Sequence, residues 1–183
     1  MSAGPGTPAG AGLQPAAKVW RRGGGGSGAG DSAGRGHGSA LGKLGAMTDL
    51  PTTAPIRLAR VEALVFRVPI AQPVQTSFGT MHDRPAVLER AEDTEGAVGW
   101  GEIWCNFPAV GAEHRARLLE ATVAPILLER AWSSPAEAFR ELSNRLHVLG
   151  IQCGEPGTVA QAVAGADMAL WDLAARRAQQ PLW

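Results

Sequence analysis

Ala166-Asp167-Met168-Ala169-Leu170-Trp171-Asp172-Leu173-Ala174-Ala175-Arg176-Arg177 reads as one long, largely apolar helix. With Val159 and Val163 just upstream, its apolar residues spread around most of a helical circumference instead of along one stripe, which predicts burial on several sides. Thr158-Val159-Ala160-Gln161 has the pattern of a capping box and is read as the start of this helix. The other residues look too few to enclose it, so Met168, Leu170, Trp171 and Leu173 are expected to need a larger body beyond the 183 residues. Each large apolar side chain left in water forfeits about 1.5–3 kcal/mol, a serious loss for a domain stable by about 5–15 kcal/mol.

Composition divides the chain in two. Residues 1–46 hold 15 of the 24 glycines, one acidic residue (Asp31) and five basic ones (Lys18, Arg21, Arg22, Arg35, Lys43). A segment of that kind cannot form a core and is expected to be a disordered Gly-rich extension. Its basic residues are scattered, and only Trp20 adds an aromatic ring, so it does not have the pattern of a nucleic-acid arm. Gly23, Gly25 and Gly28 match a dinucleotide-binding spacing, but no strand precedes them and no helix follows. Arg21-Arg22 lead into four glycines rather than the apolar run of a secretory signal. Met47 opens the globular composition and is a candidate for the true start.

From Met47 onward, 12 of the 17 basic residues face 16 of the 17 acidic ones, a balance that offers no footprint for nucleic acid. No stretch approaches the roughly 20 apolar residues of a membrane helix, so the expected setting is cytoplasmic, with no membrane partner. Cys105 and Cys153 have neither metal-ligand spacing nor the number for a disulfide framework and are read as reduced thiols.

Outward from the helix, the middle of the chain reads as strands and then helices. Ile56, Leu58, Val61, Ala63, Val65 and Val68 mark a strand over 56–68, which Pro69 and Pro73 are expected to end. Residues 70–84 read as a loop of the length that is usually functional. A second strand is predicted over 85–91, a turn at Asp93-Thr94-Glu95-Gly96, and a third strand over 97–104, followed by an irregular stretch over 105–111. Helices follow over 113–130, with a kink at Pro125, and from the capping box Ser134-Pro135-Ala136-Glu137. The expected fold is α+β: a three-stranded antiparallel meander followed by a helical subdomain. The expected units are 1–46, 47–158 and a linker helix over 159–183.

A meander ending in Val98-Gly99-Trp100-Gly101-Glu102, then helices, then Ala166 to Leu173 as quoted, resembles the N-terminal capping domain of the enolase superfamily, in its mandelate racemase and muconate lactonizing enzyme branch. The resemblance covers residues 56–183. It implies a TIM-type barrel after the cap, Mg²⁺ held by acidic residues at barrel strand ends, and a Lys or His base that abstracts the proton α to a carboxylate. The outcomes it implies are racemisation, cycloisomerisation or dehydration of small carboxylic or sugar acids. All those catalytic and metal positions would lie beyond Trp183, which implies a truncated chain that is inactive alone, with a homo-oligomer or a separate barrel partner as possible company. What carries over are two cap loops that close on substrate, matching residues 75–84 and 104–109. Their candidate substrate-binding residues are Thr76, Ser77, Phe78, His82 and Arg84 in the first, and Trp104 and Phe107 in the second. Glu102 has no acidic or histidine partner at ligand spacing and is read as making a structural hydrogen bond. Asp167 and Asp172 lie on opposite sides of one helix and are read as anchors for backbone or arginines. A rival reading is a stand-alone binding module that uses the cap fold without chemistry.

Overall fold

The computed structural model describes residues 19–21 and 54–182. The Gly-rich extension expected over 1–46 lies outside the described residues except at Val19–Arg21, as do Met47 and Trp183. The strands are β1 (Val19–Arg21), β2 (Ile56–Thr76), β3 (Gly79–Asp93), β4 (Val98–Ile103) and β5 (Ala131–Trp132). The helices are α1 (Gly111–Leu118), α2 (Ala124–Leu128), α3 (Pro135–Gln152) and α4 (Pro156–Arg177), with a π-helical turn (Leu119–Val123) between α1 and α2. The sheet is antiparallel in the order β1-β2-β3-β4, and β5 pairs with the start of β2 through Ile56 and Trp132. The predicted meander is its centre, β2 to β4.

The first expected loop is not a loop. β2 runs on to Thr76 and β3 starts at Gly79, so residues 70–84 form a two-stranded arm with a tight turn at its tip. Pro69 and Pro73 do not end the strand, because the pairing register shifts between Pro69 and Val74 and the intervening residues leave the ladder. Prolines are tolerated at such irregularities because no ladder hydrogen bond is asked of them.

The turn between β3 and β4 follows the expected chemistry. Gly96 adopts φ 89°, and Asp93 accepts from the amides of Glu95 and Ala97 at 2.9 and 2.8 Å. Where a kink was expected at Pro125, the helix is interrupted by a π-helical turn just before the proline, which has no N–H and a ring that crowds the preceding turn. At α3, Ser134 caps the amide of Glu137 at 3.2 Å, while the Glu137 carboxylate reaches back to the Ser133 amide at 2.7 Å. Ser134→Ala is expected to lower stability by about 1 kcal/mol in urea unfolding, with α3 fraying first by hydrogen exchange. The box at Thr158 is not used. α4 starts three residues earlier than expected, at Pro156, after Gly154 turns the chain from α3 at φ 71°.

The expectation that this domain cannot cover α4 is corrected for Leu170 and Leu173, while Met168 and Trp171 stay partly exposed. Leu170 and Leu173 are fully buried within the chain's own sheet and helices, together with Ala162, Ala166 and Ala169, and Val159 is buried beside α3. The helix therefore does present a single stripe, made mostly of small residues, while Met168 points outward and is 41% exposed. Small residues set the spacing. A Cβ on Gly101 would fall 2.0 Å from the Gly165 carbonyl oxygen, and one on Gly99 would fall 2.1 Å from that of Ala169. Backbone thus lies on backbone where α4 crosses β4. The core continues through Ile56, Leu58, Val61, Leu119, Leu127 and Leu142 to Trp132, whose indole donates to the Leu127 carbonyl at 2.9 Å.

Two anchors fix α4 lengthwise. Asp172 accepts from the Trp100 amide at 2.8 Å and pairs with Arg176, the backbone-and-arginine role read for it. At the end of the helix, Arg177 meets the buried Asp93 at 2.7 Å and donates to the Ala54 carbonyl at 3.0 Å. Glu102 does not make the structural hydrogen bond expected of it. The pleat places Gly99, Gly101 and Ile103 against α4, so the Glu102 side chain is exposed on the opposite face and makes no hydrogen bond among the described residues.

Candidate functional site

The two segments singled out as cap loops converge at one end of the sheet. Thr76, Ser77 and Phe78 form the tip of the β2–β3 arm. Thr76 donates through its hydroxyl to the Gly79 carbonyl at 2.8 Å and accepts from the Phe78 amide at 3.2 Å, so its oxygen shapes the turn. This leaves Phe78 83% exposed. Its ring lies 6.0 Å from that of Phe107, tilted by 48°, within the range where aromatic pairs attract. A residue from each segment thus closes one contact between two otherwise separate excursions.

His82 and Arg84 stand two residues apart on the β3 side of the arm, both exposed, and Arg84 reaches the Met81 sulfur at 3.9 Å. Ser77 is exposed. Trp104 is half exposed, with the Arg115 guanidinium 5.7 Å from its ring centre. The structure therefore joins Phe78 to Phe107. It places Thr76 and Ser77 beside Phe78 in the turn, leaves His82 and Arg84 lower on the arm, and sets Trp104 against α1.

Two arginines absent from the candidate residues hold this end together. Arg67, on β2, binds both oxygens of Glu113 at 2.8 and 2.6 Å, Asp83 at 3.1 Å and the Ala109 carbonyl. One side chain thereby ties the arm, the second loop and α1. The Arg67 hydrogen bonds hold the Glu113 carboxyl below its usual range, and the Glu113 partner in turn raises the guanidinium. Arg115 is buried and donates to Gln161 at 2.8 Å and to the Gly111 carbonyl at 3.0 Å, which fixes the end of the second loop against α4. Burial lowers its pKa and raises that of the neighbouring Cys105 thiol. A lone arginine within a strand or a short helix carries no spacing signal, so neither Arg67 nor Arg115 could be matched to its partners from the sequence.

Beside the second loop lies an open groove lined by Pro108, Val110, Glu113, His114, Arg117 and Glu155. In it His114 meets Glu155 at 2.6 Å. Among the described residues no group of three His, Cys, Asp or Glu side chains is gathered to hold a metal ion. The residues present thus do not fit a magnesium site. Among the described residues, no helix is long and apolar enough to cross a membrane.

A small antiparallel sheet backed by helices, with a two-stranded arm touching a loop at one end, defines an α+β domain. Residues 60–183 match the family model of the mandelate racemase / muconate lactonizing enzyme N-terminal domain, and the chain belongs to that family. It is similar to 3,6-anhydro-alpha-L-galactonate cycloisomerase of Streptomyces coelicolor, 28% identical over 69% of this chain and 34% of the relative. It is also similar to D-galactonate dehydratase of Klebsiella pneumoniae, 35% identical over 51% of this chain and 22% of the relative. Among solved structures, a mandelate racemase/muconate lactonizing enzyme from Bordetella bronchiseptica shares 61% identity, with a TM-score of 0.64, over 71% of this chain and 33% of that one. A racemase from Streptomyces coelicolor solved with bound magnesium shares 26%, with a TM-score of 0.55, over 63% of this chain and 31% of that one. The chain spans about a third or less of the length of these relatives.

Proposed function

We propose that this chain supplies the cap of a Mg²⁺-dependent enzyme that abstracts the α-proton of a small carboxylic or sugar acid, its two loops closing over a barrel carried by other residues. The observation that supports this most is the contact of the exposed Phe78 with the half-buried Phe107, because it gathers both segments into one aromatic tip. Thr76 and Ser77 offer hydroxyls beside that tip. His82 and Arg84 add a polar flank, and a guanidinium suits a second carboxylate on the substrate. Trp104 and Phe107 serve as apolar walls that exclude water when the loops close. The choice between racemisation, cycloisomerisation and dehydration rests with the barrel and its base.

On this reading the chain alone is inactive. Purified protein given Mg²⁺ and a panel of hydroxy and sugar acids in deuterium oxide is expected to show no exchange of the α-proton by NMR. Exchange above the protein-free rate would overturn the proposal.

One observation favours a second reading, a stand-alone binding module. Leu170 and Leu173 are enclosed without any outside body, so α4 does not by itself require a barrel. A barrel-dependent cap should bind hydrophobic dye through Met168 and the exposed apolar residues of α3, Val148 and Ile151, and should associate on gel filtration. A stand-alone module should be monodisperse and dye-silent.

A further inference from the structure

We propose that Glu89 is a proton-controlled latch between the sheet and α4: while its carboxyl is neutral the helix seats on β3 and β4, and ionisation loosens that seat. Glu89 lies in the middle of β3 on the face that carries Val87 and Ala91, and it is fully buried. Neither of its carboxyl oxygens has a hydrogen-bond partner. Its cross-strand neighbours are Ala63 on β2 and Gly101 on β4. Over Gly101 α4 passes with its backbone in contact, at the Gly165 carbonyl and the Ala169 amide. An apolar residue would be expected at such a point, and a carboxylate there is an anion without solvent or counter-charge.

The charged groups of the surrounding elements are committed elsewhere. On β2, Glu62 pairs with Arg60 and Arg90, and Arg67 binds Glu113 and Asp83. On β3, Asp93 pairs with Arg177. On β4, Glu102 is exposed on the other face. On α1, Arg115 is bound to Gln161 and the Gly111 carbonyl. On α4, Asp172 holds Trp100 and Arg176, while Asp167, with one buried oxygen unpartnered, is an acid and offers Glu89 no counter-charge. Burial alone pushes the Glu89 carboxyl well above its ordinary 4.5.

The sign of the effect follows from linkage. A carboxyl whose folded pKa is raised contributes stability that is complete below the unfolded value. That stability is lost as pH rises above 4.5, and the loss ends once pH passes the folded value. Across that window the unfolding constant should grow about tenfold per pH unit from this one group.

The test is urea unfolding of the full chain from about pH 5 to about pH 9, for wild type, Glu89→Gln and Glu89→Met. Wild type is expected to lose stability with rising pH more steeply than either variant. Glu89→Met, apolar and of similar length, is expected to be the more stable protein at the alkaline end. Isotope-edited infrared spectra at neutral pH should show a protonated carboxyl stretch that is missing from both variants, and α4 amides should exchange faster in wild type as pH rises, beyond the intrinsic increase. Equal pH slopes in wild type and Glu89→Met would overturn the proposal, as would absence of the protonated carboxyl at neutral pH. The infrared readout needs no stable Gln variant, and none of these results depends on the capping role.

Discussion

Gly101→Val is expected to unfold the domain or lift α4 from the sheet, with a loss above about 3 kcal/mol. Overpacking usually costs about 1–3 kcal/mol when neighbouring side chains can rotate away. Here the obstacle is backbone: the first added carbon meets the Gly165 carbonyl oxygen at 2.0 Å and the Ala169 nitrogen at 2.9 Å. α4 cannot slide aside, because Asp172 holds it to the Trp100 amide and Arg177 holds its end to Asp93. Gly165→Ala provides the contrast. Its new carbon meets the Ile103 Cγ1 at 2.4 Å, a side-chain atom that can turn away, so Gly165→Ala should cost less than Gly101→Val. Urea unfolding followed by circular dichroism measures both. A Gly101→Val protein as stable as wild type would mean that α4 does not lie where the glycines place it.

Asp93→Ala is expected to cost about 3–5 kcal/mol, the range for breaking one side of a buried ion pair. The side chain of Asp93 is fully buried and that of Arg177 is 11% exposed, so removing the acid strands a guanidinium away from water. The change also deprives the amides of Glu95 and Ala97 of their acceptor, which loosens the β3–β4 turn. Calorimetry should report a lower Tm, and hydrogen exchange should show the turn and the last turn of α4 opening together. In the double variant Asp93→Ala/Arg177→Ala the two losses should be far from additive, since the second change removes the charge whose shortest ion pair the first had already broken.

The same residues show how far the fold was legible in sequence. Gly99-Trp100-Gly101 with the Asp93–Gly96 turn announced a hairpin, because turn chemistry and alternation are local signals, and the hairpin is there. Ser134-Pro135 and Pro125 were equally local, and both act as their chemistry requires. Pro69 and Pro73 misled, since a bulge absorbs what proline removes from a ladder, and nothing nearby in the chain reveals a bulge. The burial of α4 was misjudged for a related reason. Apolar count suggested a helix needing many large partners, whereas the glycines at 99, 101 and 165 let the sheet approach closely enough to cover a stripe of alanines. At the loop end, Phe78 and Phe107 were each visible as aromatics in irregular surroundings, yet their contact spans the whole meander. The ties made by Arg67 and Arg115 are longer still, so geometry rather than pattern brings them into view.

The arm built by β2 and β3 has a bearing on how the protein behaves in a crowded solution. Beyond Glu62 on one rim and before Val87 on the other, its strands have no further ladder neighbour among the described residues, which leaves two bare borders of the kind that recruit foreign strands. Pro69 and Pro73 interrupt the donors on the first border, and Pro85 does so on the second. The irregularity that hid the arm from a reading of the chain thus doubles as a guard against fibrous self-association. Exchanging those prolines for strand-forming valines would turn a projecting finger into a template for polymer growth.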